Sequence, residues 1–401
     1  MSTSVENNRE ILIRPAGHRD LEEIALFVSE FAKTDEDLIN LEKQIAQVRK
    51  CYALLQFFNL FPNPFQNYLR LYIAEQFHQL RGLVQVSPFN SSRSTWRVER
   101  VLTDHHQEKE LRIGKKSIGS QLLRHCFETV WEARTWLLEV NINDHDILAL
   151  YRQNGFQPLA QMTYWSLSPE ILQQLAQQEP DLPNFLPVSN ADAQLLYQLD
   201  TLSMPPLLRQ VFDRHIQDFK TNILAVLLDK LRQWFEHTQT RTGYVFEPQR
   251  KAAIGFFNLE LSKDGSVPHQ VQLTVHPAYT WLYPKLFALM AQLINPLAPQ
   301  SLSLVSGDYQ PEREEYLEQL GATRTKHSLL MSRSVWHKLR ESKPLEALNL
   351  SEVLQGLHPA RTPIPSRISW LEYIYQMSQA NSKDTPRSSS SEDEGGKENP
   401  E

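Results

Sequence analysis

Residues 96–103 alternate as a strand does, and a polar loop over 104–116 leads from its end into a strongly amphipathic helix over 118–131. The junction carries Gly114, Lys115, Lys116, Ser117, Ile118, Gly119 and Ser120 in unbroken succession. The first turn of a helix has backbone N–H groups without intrahelical acceptors and the positive end of the dipole, so it suits an anionic pyrophosphate. Gly114 and Gly119 let the backbone approach such a guest, Lys115 and Lys116 add charge, and Ser117 offers a hydroxyl. Taken alone, the same segment reads better as an ordinary solvated loop with lysines.

The elements around this loop must hold it in place. A short strand at 11–16 precedes a helix at 21–31 that Asp20 caps, then a long helix at 37–58. Strands follow at 68–75, 82–87 and 96–103, then the loop and its helix, a buried strand at 136–141, a helix at 144–154 and a strand at 163–167. In the strand at 96–103 the alternation places Trp96, Val98 and Arg100 on one side, and Arg97, Glu99 and Val101 on the other. This order is an α/β sandwich around a mixed sheet. The aromatic-rich stretch 52–68 reads as a pocket wall or as core packing.

We assign residues 1–170 to this first domain and 171–184, with Pro180 and Pro183, to a linker. The plan then repeats in outline over 185–340: strands at 253–261 and 270–275, a helix at 284–294, a strand at 301–306, a helix at 311–320 and a strand at 328–331. Gly321-Ala322 echoes Gly155-Phe156, which reads as an old duplication. Residues 341–380 form a C-terminal extension, and the acidic, serine-rich tail 381–401 is expected to be disordered.

Downstream of the loop come Asn143-Asp144 and then Ala149-Leu150-Tyr151-Arg152-Gln153-Asn154-Gly155-Phe156. The order and spacing over residues 11–167 resemble the GNAT superfamily of acyl-CoA N-acyltransferases. That family's cofactor motif, Gln/Arg-x-x-Gly-x-Gly/Ala, is matched by Gly114-Lys115-Lys116-Ser117-Ile118-Gly119, with Gly114 at the leading position and Ser117 at the first glycine. A positive φ at Ser117 would cost about 1 kcal/mol or more. The downstream pattern is met by Asp144, in place of the family's Asn, with Ile147 and Leu150-Tyr151 through Gly155-Phe156. The resemblance implies an α+β fold of two tandem GNAT-like mixed-sheet sandwiches with helices on both faces. It also implies an acetyl-CoA-dependent N-acetyltransferase without a metal, with Gly114, Lys115, Lys116, Ser117, Ile118, Gly119, Ser120 and Asp144 at the cofactor.

Amine acylation needs a deprotonated amine, a polarised carbonyl and a proton for the leaving thiolate. The resemblance implies that backbone N–H groups near Leu102 and Thr103 serve the pantetheine arm and carbonyl. It also implies that Tyr151 protonates the sulfur, a task suited to a phenol with its pKa near 10; the alternative for Tyr151 is a core tyrosine on an amphipathic helix. Glu99, in the strand of the carbonyl site, reads as a general base or as a half-exposed strand glutamate, and Glu139 is a weaker candidate. His105, His106, His125 and His145 lack partners at ligand spacing and read as structural or solvated.

In the second half the strand 270–275 is followed by Ala278-Tyr279-Thr280-Trp281-Leu282-Tyr283, which has no glycine and three bulky aromatics, and Leu317 stands where the first half has Tyr151. This half reads as a degenerate copy. Composition narrows the rest. Hydrophobic residues make up 41% of the 401, enough for sizeable cores, and the net charge of −6 is spread along the chain without a basic stripe for nucleic acid. No apolar run of about 18 residues suggests a membrane span, and the polar start does not read as a signal peptide. Two cysteines, Cys51 and Cys126, outside any Cys-x-x-Cys pair, fit a cytoplasmic protein. The expected partner is a small-molecule or peptide amine acceptor; the competing reading is a non-catalytic acyl-CoA sensor or protein-interaction module.

Overall fold

A computed structural model describes residues 11–31, 70–77, 79–104, 117–182, 184–220 and 238–335. The chain divides into Met1–His337 and Lys338–Glu401, and every described residue lies in the first unit. The helix expected at 37–58, the aromatic stretch 52–68, the loop residues 105–116 and the readings beyond residue 335 lie outside the described residues.

The first half runs β1 (Leu12–Pro15), α1 (Leu21–Phe31), β2 (Arg70–Gln76), β3 (Gln79–Pro88), β4 (Thr95–Thr103), α2 (Ile118–Thr129), β5 (Thr135–Asn141), α3 (His145–Gln153) and β6 (Gln157–Leu167). After α4 (Pro169–Ala176), the second half runs β7 (Phe185–Pro187), α5 (Ala193–Ser203), α6 (Pro206–Phe212), β8 (Thr238–Glu247), β9 (Ala252–Ser262), β10 (His269–Val275), α7 (Leu282–Ile294), β11 (Leu302–Gly307), α8 (Pro311–Gln319) and β12 (Thr323–Ser334).

The twelve strands among the described residues join in one mixed sheet, ordered β1-β2-β3-β4-β5-β12-β6-β11-β10-β9-β8-β7. β6, at the end of the first half, is not the neighbour of β5. Instead β12, from the far end of the second half, pairs antiparallel with β5, while β6 pairs antiparallel with β11 of the second half. The two exchanged strands lie side by side at the centre and pair with each other. Sequence periodicity fixes which face a strand buries and does not specify its neighbour.

The halves correspond residue by residue where packing is tightest. A Cβ on Gly82 would crowd Ile118 and Leu122 of α2, and one on Gly255 would crowd Leu282 and Leu286 of α7. In both halves a glycine on the third strand lets the helix after the fourth strand settle onto the sheet. On one face of the first half, Val84, Val86, Trp96, Val98 and Trp136 pack against Leu122, Cys126 and Phe127 of α2 and Leu148 and Tyr151 of α3. The opposite face carries Leu21, Ile24 and Val28 of α1 on Leu71, Ile73 and Leu83, and, further along the sheet, Leu208 and Val211 of α6 on Leu137, Ala160 and Leu330.

One irregularity corrects the expected alternation of β4. Gln85 pairs with Arg100 but Val86 pairs with Val98, so Glu99 is an extra residue, a β-bulge. The bulge shifts the phase by one, and Val101 joins Trp96 and Val98 in the same core while Leu102 packs toward α1.

Candidate functional site

β4 and β5 are parallel partners over only four residues, from Thr95 with Thr135 to Val98 with Leu138. Beyond that point β4 stays with β3 as far as Thr103, and β5 stays with β12 as far as Asn141. The two strands therefore diverge, and the bulge at Glu99 sits at the vertex, where it bends β4 away.

Ladder geometry settles what lines this gap. Asp104 N–H donates to Arg81 O at 3.0 Å, so by antiparallel alternation Leu102 turns its backbone groups toward β3, and Val101 and Thr103 turn theirs toward β5. On the other side Ile142 N–H donates to His327 O at 3.2 Å, which leaves Glu139 and Asn141 facing β4. Of the two expected backbone contacts, Thr103 faces the gap and Leu102 does not. Among the described residues no side chain bridges the backbone of Val101 to that of Glu139.

The second half has the same divergence with a different outcome. β10 and β11 pair from His269 with Leu302 to Val271 with Leu304 and then part. Here the buried Arg313 spans the gap: Nη2 donates to Leu273 O at 2.7 Å and Nη1 to Val305 O at 3.2 Å. The strand partners of Gly82 and Gly255 are Thr103 and Val275, which matches Leu273 with Val101, and counting back from Gly155 and Gly321 matches Val305 and Arg313 with Glu139 and Ile147. The aliphatic Ile147 offers no donor, so the first gap keeps its main-chain groups available for a ligand.

The open end of the first gap meets α2. Ser117 is its N-cap, with φ −55°, so no positive-φ penalty arises; its hydroxyl accepts from Ser120 N–H at 3.2 Å. Among the described residues no acceptor engages the N–H groups of Ile118 and Gly119, which remain for an anion. Gly114, Lys115 and Lys116 lie outside the described residues. Gly119 is needed for packing: a Cβ there would lie 2.8 Å from Leu150 Cδ2. Asn154, which the sequence reading left without a role, is buried and donates to Ser120 Oγ at 2.8 Å and to Leu150 O at 2.8 Å, tying the start of α2 to the end of α3. Arg333 of the exchanged β12 donates to Asn154 O and lies over the Phe127 ring at 4.2 Å.

Asp144 caps α3 and accepts from Ile147 N–H at 3.2 Å. Tyr151 is buried against Phe156, with ring centroids 5.7 Å apart. Burial, and then the negative charge of Asp144, push its phenol well above the usual value. No described residue engages that hydroxyl.

Glu99 and Glu139 follow the last paired residues of their strands. Ser87 donates to Glu99 at 2.5 Å, Arg97 approaches Glu99 at 3.4 Å and Glu139 at 3.8 Å, and Tyr164 donates to Glu139 at 2.6 Å, with Ser328 of β12 as a further donor. These residues share the sheet face opposite α2. Two carboxylates thus stand at the vertex, one on each strand. Among the described residues no group of three or more His, Cys, Asp or Glu is arranged to hold a metal, and no described helix is long and apolar enough to cross a membrane.

No protein-family model matches the sequence, and no curated protein does. Solved structures align with the chain. A tandem GNAT protein from the clavulanic acid biosynthesis pathway aligns with a TM-score of 0.51 at 12% identity, over 81% of this chain and 98% of its own. A GCN5-related N-acetyltransferase from Sphaerobacter thermophilus gives 0.48 at 11%, over 81% and 95%. A Drosophila protein gives 0.44 at 15%, over 81% and 99%. The likeness to the tandem GNAT protein is one of fold: the chain has the GNAT fold in a tandem arrangement.

Proposed function

We propose that the first half, residues 1–170, is an N-acetyltransferase that moves an acetyl group from acetyl-CoA to the amine of a small molecule or peptide in the cytoplasm. The second half, residues 185–340, is then a degenerate copy that completes the sheet. One observation carries this reading: β4 and β5 part after Val98 and Leu138 with unbridged main-chain groups, and the gap ends at the first turn of α2.

In this reading the amides of Ile118 and Gly119 hold the pyrophosphate, with Ser117 and Ser120 shaping the turn and Lys115 and Lys116 adding charge. Thr103 and Val101 offer backbone groups to the pantetheine arm. When bound, acetyl-CoA supplies the activated acetyl carbonyl. Tyr151 holds a proton at its phenol oxygen for the departing sulfur, and burial keeps it there at neutral pH. Glu99 accepts the proton that the amine gives up, and Arg97 and Ser87 hold its carboxylate in place.

Calorimetric titration with acetyl-CoA tests the proposal directly. Saturable binding is expected, together with release of CoA when an amine panel is added. A flat titration at millimolar acetyl-CoA removes the reading.

A further inference from the structure

We propose that Arg313 is a built-in occupant of the second gap, standing where an acyl-CoA arm would lie, and that it limits the chain to one acyl-CoA. The inference rests on the reading of the first half only for the identity of that ligand.

Diverging parallel strands leave carbonyl and amide groups without ladder partners, and buried backbone groups must find others. In the second half the partner comes from the first turn of α8. Arg313 is 3% exposed, and its guanidinium fork reaches one carbonyl on each strand, Leu273 on β10 and Val305 on β11. A planar donor with diverging N–H groups suits this bridge as an ammonium would not. Among the described residues no carboxylate lies within ion-pairing distance of it, so the two carbonyls and the Tyr283 ring, 5.8 Å from the guanidinium carbon, are what the charge has.

The surroundings close the same space. Tyr283, in the first turn of α7, stacks on Tyr316 of α8 with centroids 6.1 Å apart. Ser306 on β11 is fully buried, accepts from the Trp165 indole at 2.8 Å and donates to Glu314 at 2.7 Å. The start of α8 is thereby fastened to β11 by two adjacent residues, and Arg313 is held in the gap. At the corresponding position of the first half, Ile147 leaves the gap unbridged.

Two measurements test this on the full chain. Calorimetry with acetyl-CoA is expected to give one molecule per chain; two per chain overturns the inference. Independently, Arg313→Ala is expected to melt several degrees lower, and millimolar methylguanidinium is expected to restore much of that loss while leaving the parent protein unchanged. An alanine variant as stable as the parent, or one that methylguanidinium does not restore, overturns it. If Arg313→Ala does not fold, Arg313→Met, which keeps the length but has no donors, carries the melting comparison: parent-like stability would overturn the inference, and a loss of several degrees would support it. Should acetyl-CoA fail to bind at all, the function proposed above falls, and the melting comparison still decides the role of Arg313.

Discussion

Asn154 donates its side-chain amide to Ser120 Oγ, 2.8 Å away, and so joins the first turn of α2 to the end of the helix that carries Tyr151. Both residues are buried, so losing either leaves a polar group without its partner. Asn154→Ala should destabilise the protein by about 1–3 kcal/mol. It should also weaken acetyl-CoA binding, because the turn that holds the anion loses its brace. Chemical denaturation and calorimetry on the same samples check both; unchanged affinity in a destabilised variant would confine Asn154 to packing.

Tyr151→Phe should leave acetyl-CoA affinity near that of the parent and lower turnover by about 10²-fold or more. Burial raises the phenol pKa, so the group stays protonated throughout the neutral range. No alkaline fall in rate below about pH 10 should come from Tyr151. A phenylalanine variant with parental turnover would take Tyr151 out of the chemistry.

Ile147→Arg would give the first gap the side chain that bridges the second. It should abolish acetyl-CoA binding while the melting temperature changes little. Retained affinity would mean that the corresponding position in α3 cannot reach the main chain across the gap.

Gly119→Ala should cost about 1–3 kcal/mol, because the added methyl meets Leu150 at 2.8 Å. The clash lies with a side chain, so Leu150→Ala in the same protein should recover part of the loss. A double-mutant cycle reads the coupling; additive effects would mean the two residues do not touch.

His269 is buried. Its Nδ1 accepts from Ser262 N–H at 3.0 Å, which puts the proton on Nε2, an atom with no hydrogen-bond partner among the described residues. Burial pushes its pKa below 6.5. The unfolded chain then binds a proton that the folded chain refuses, so stability falls as pH drops from about 6.5 toward the lower folded value. His269→Asn keeps an acceptor for Ser262 and removes the titration. The slope of unfolding free energy against pH should be shallower in the variant; equal slopes would acquit His269.

Much of the first half was legible. Gly155-Phe156, the helix from Ile118 and the strand to Thr103 all sit where periodicity and turn chemistry put them, because each is fixed by local sequence. The bulge at Glu99 was hidden, since an extra residue changes pairing without changing composition, and it reversed the expected side of Val101. The exchange of β6 and β12 left no trace either: an apolar strand reads the same beside any neighbour. β7, α5, α6 and β8 were missed for a further reason. The outline of the second half began at the strand 253–261, and these four precede it. In the site, Thr103 and Glu99 lie on the strand that borders the gap, Gly119 lies in the first turn of α2 and Tyr151 is buried on α3; Leu102 turns away from the gap, and Arg313 and Asn154 announced themselves only through their bonds.

Each half finishes by lending a strand to the other, so neither can be pruned on its own account. A deletion or register slip near Leu330 would strike β5 and the carboxylate of Glu139 before anything in its own half. A copy whose gap has been filled is thereby kept under the same inherited constraint as the copy whose gap stands open.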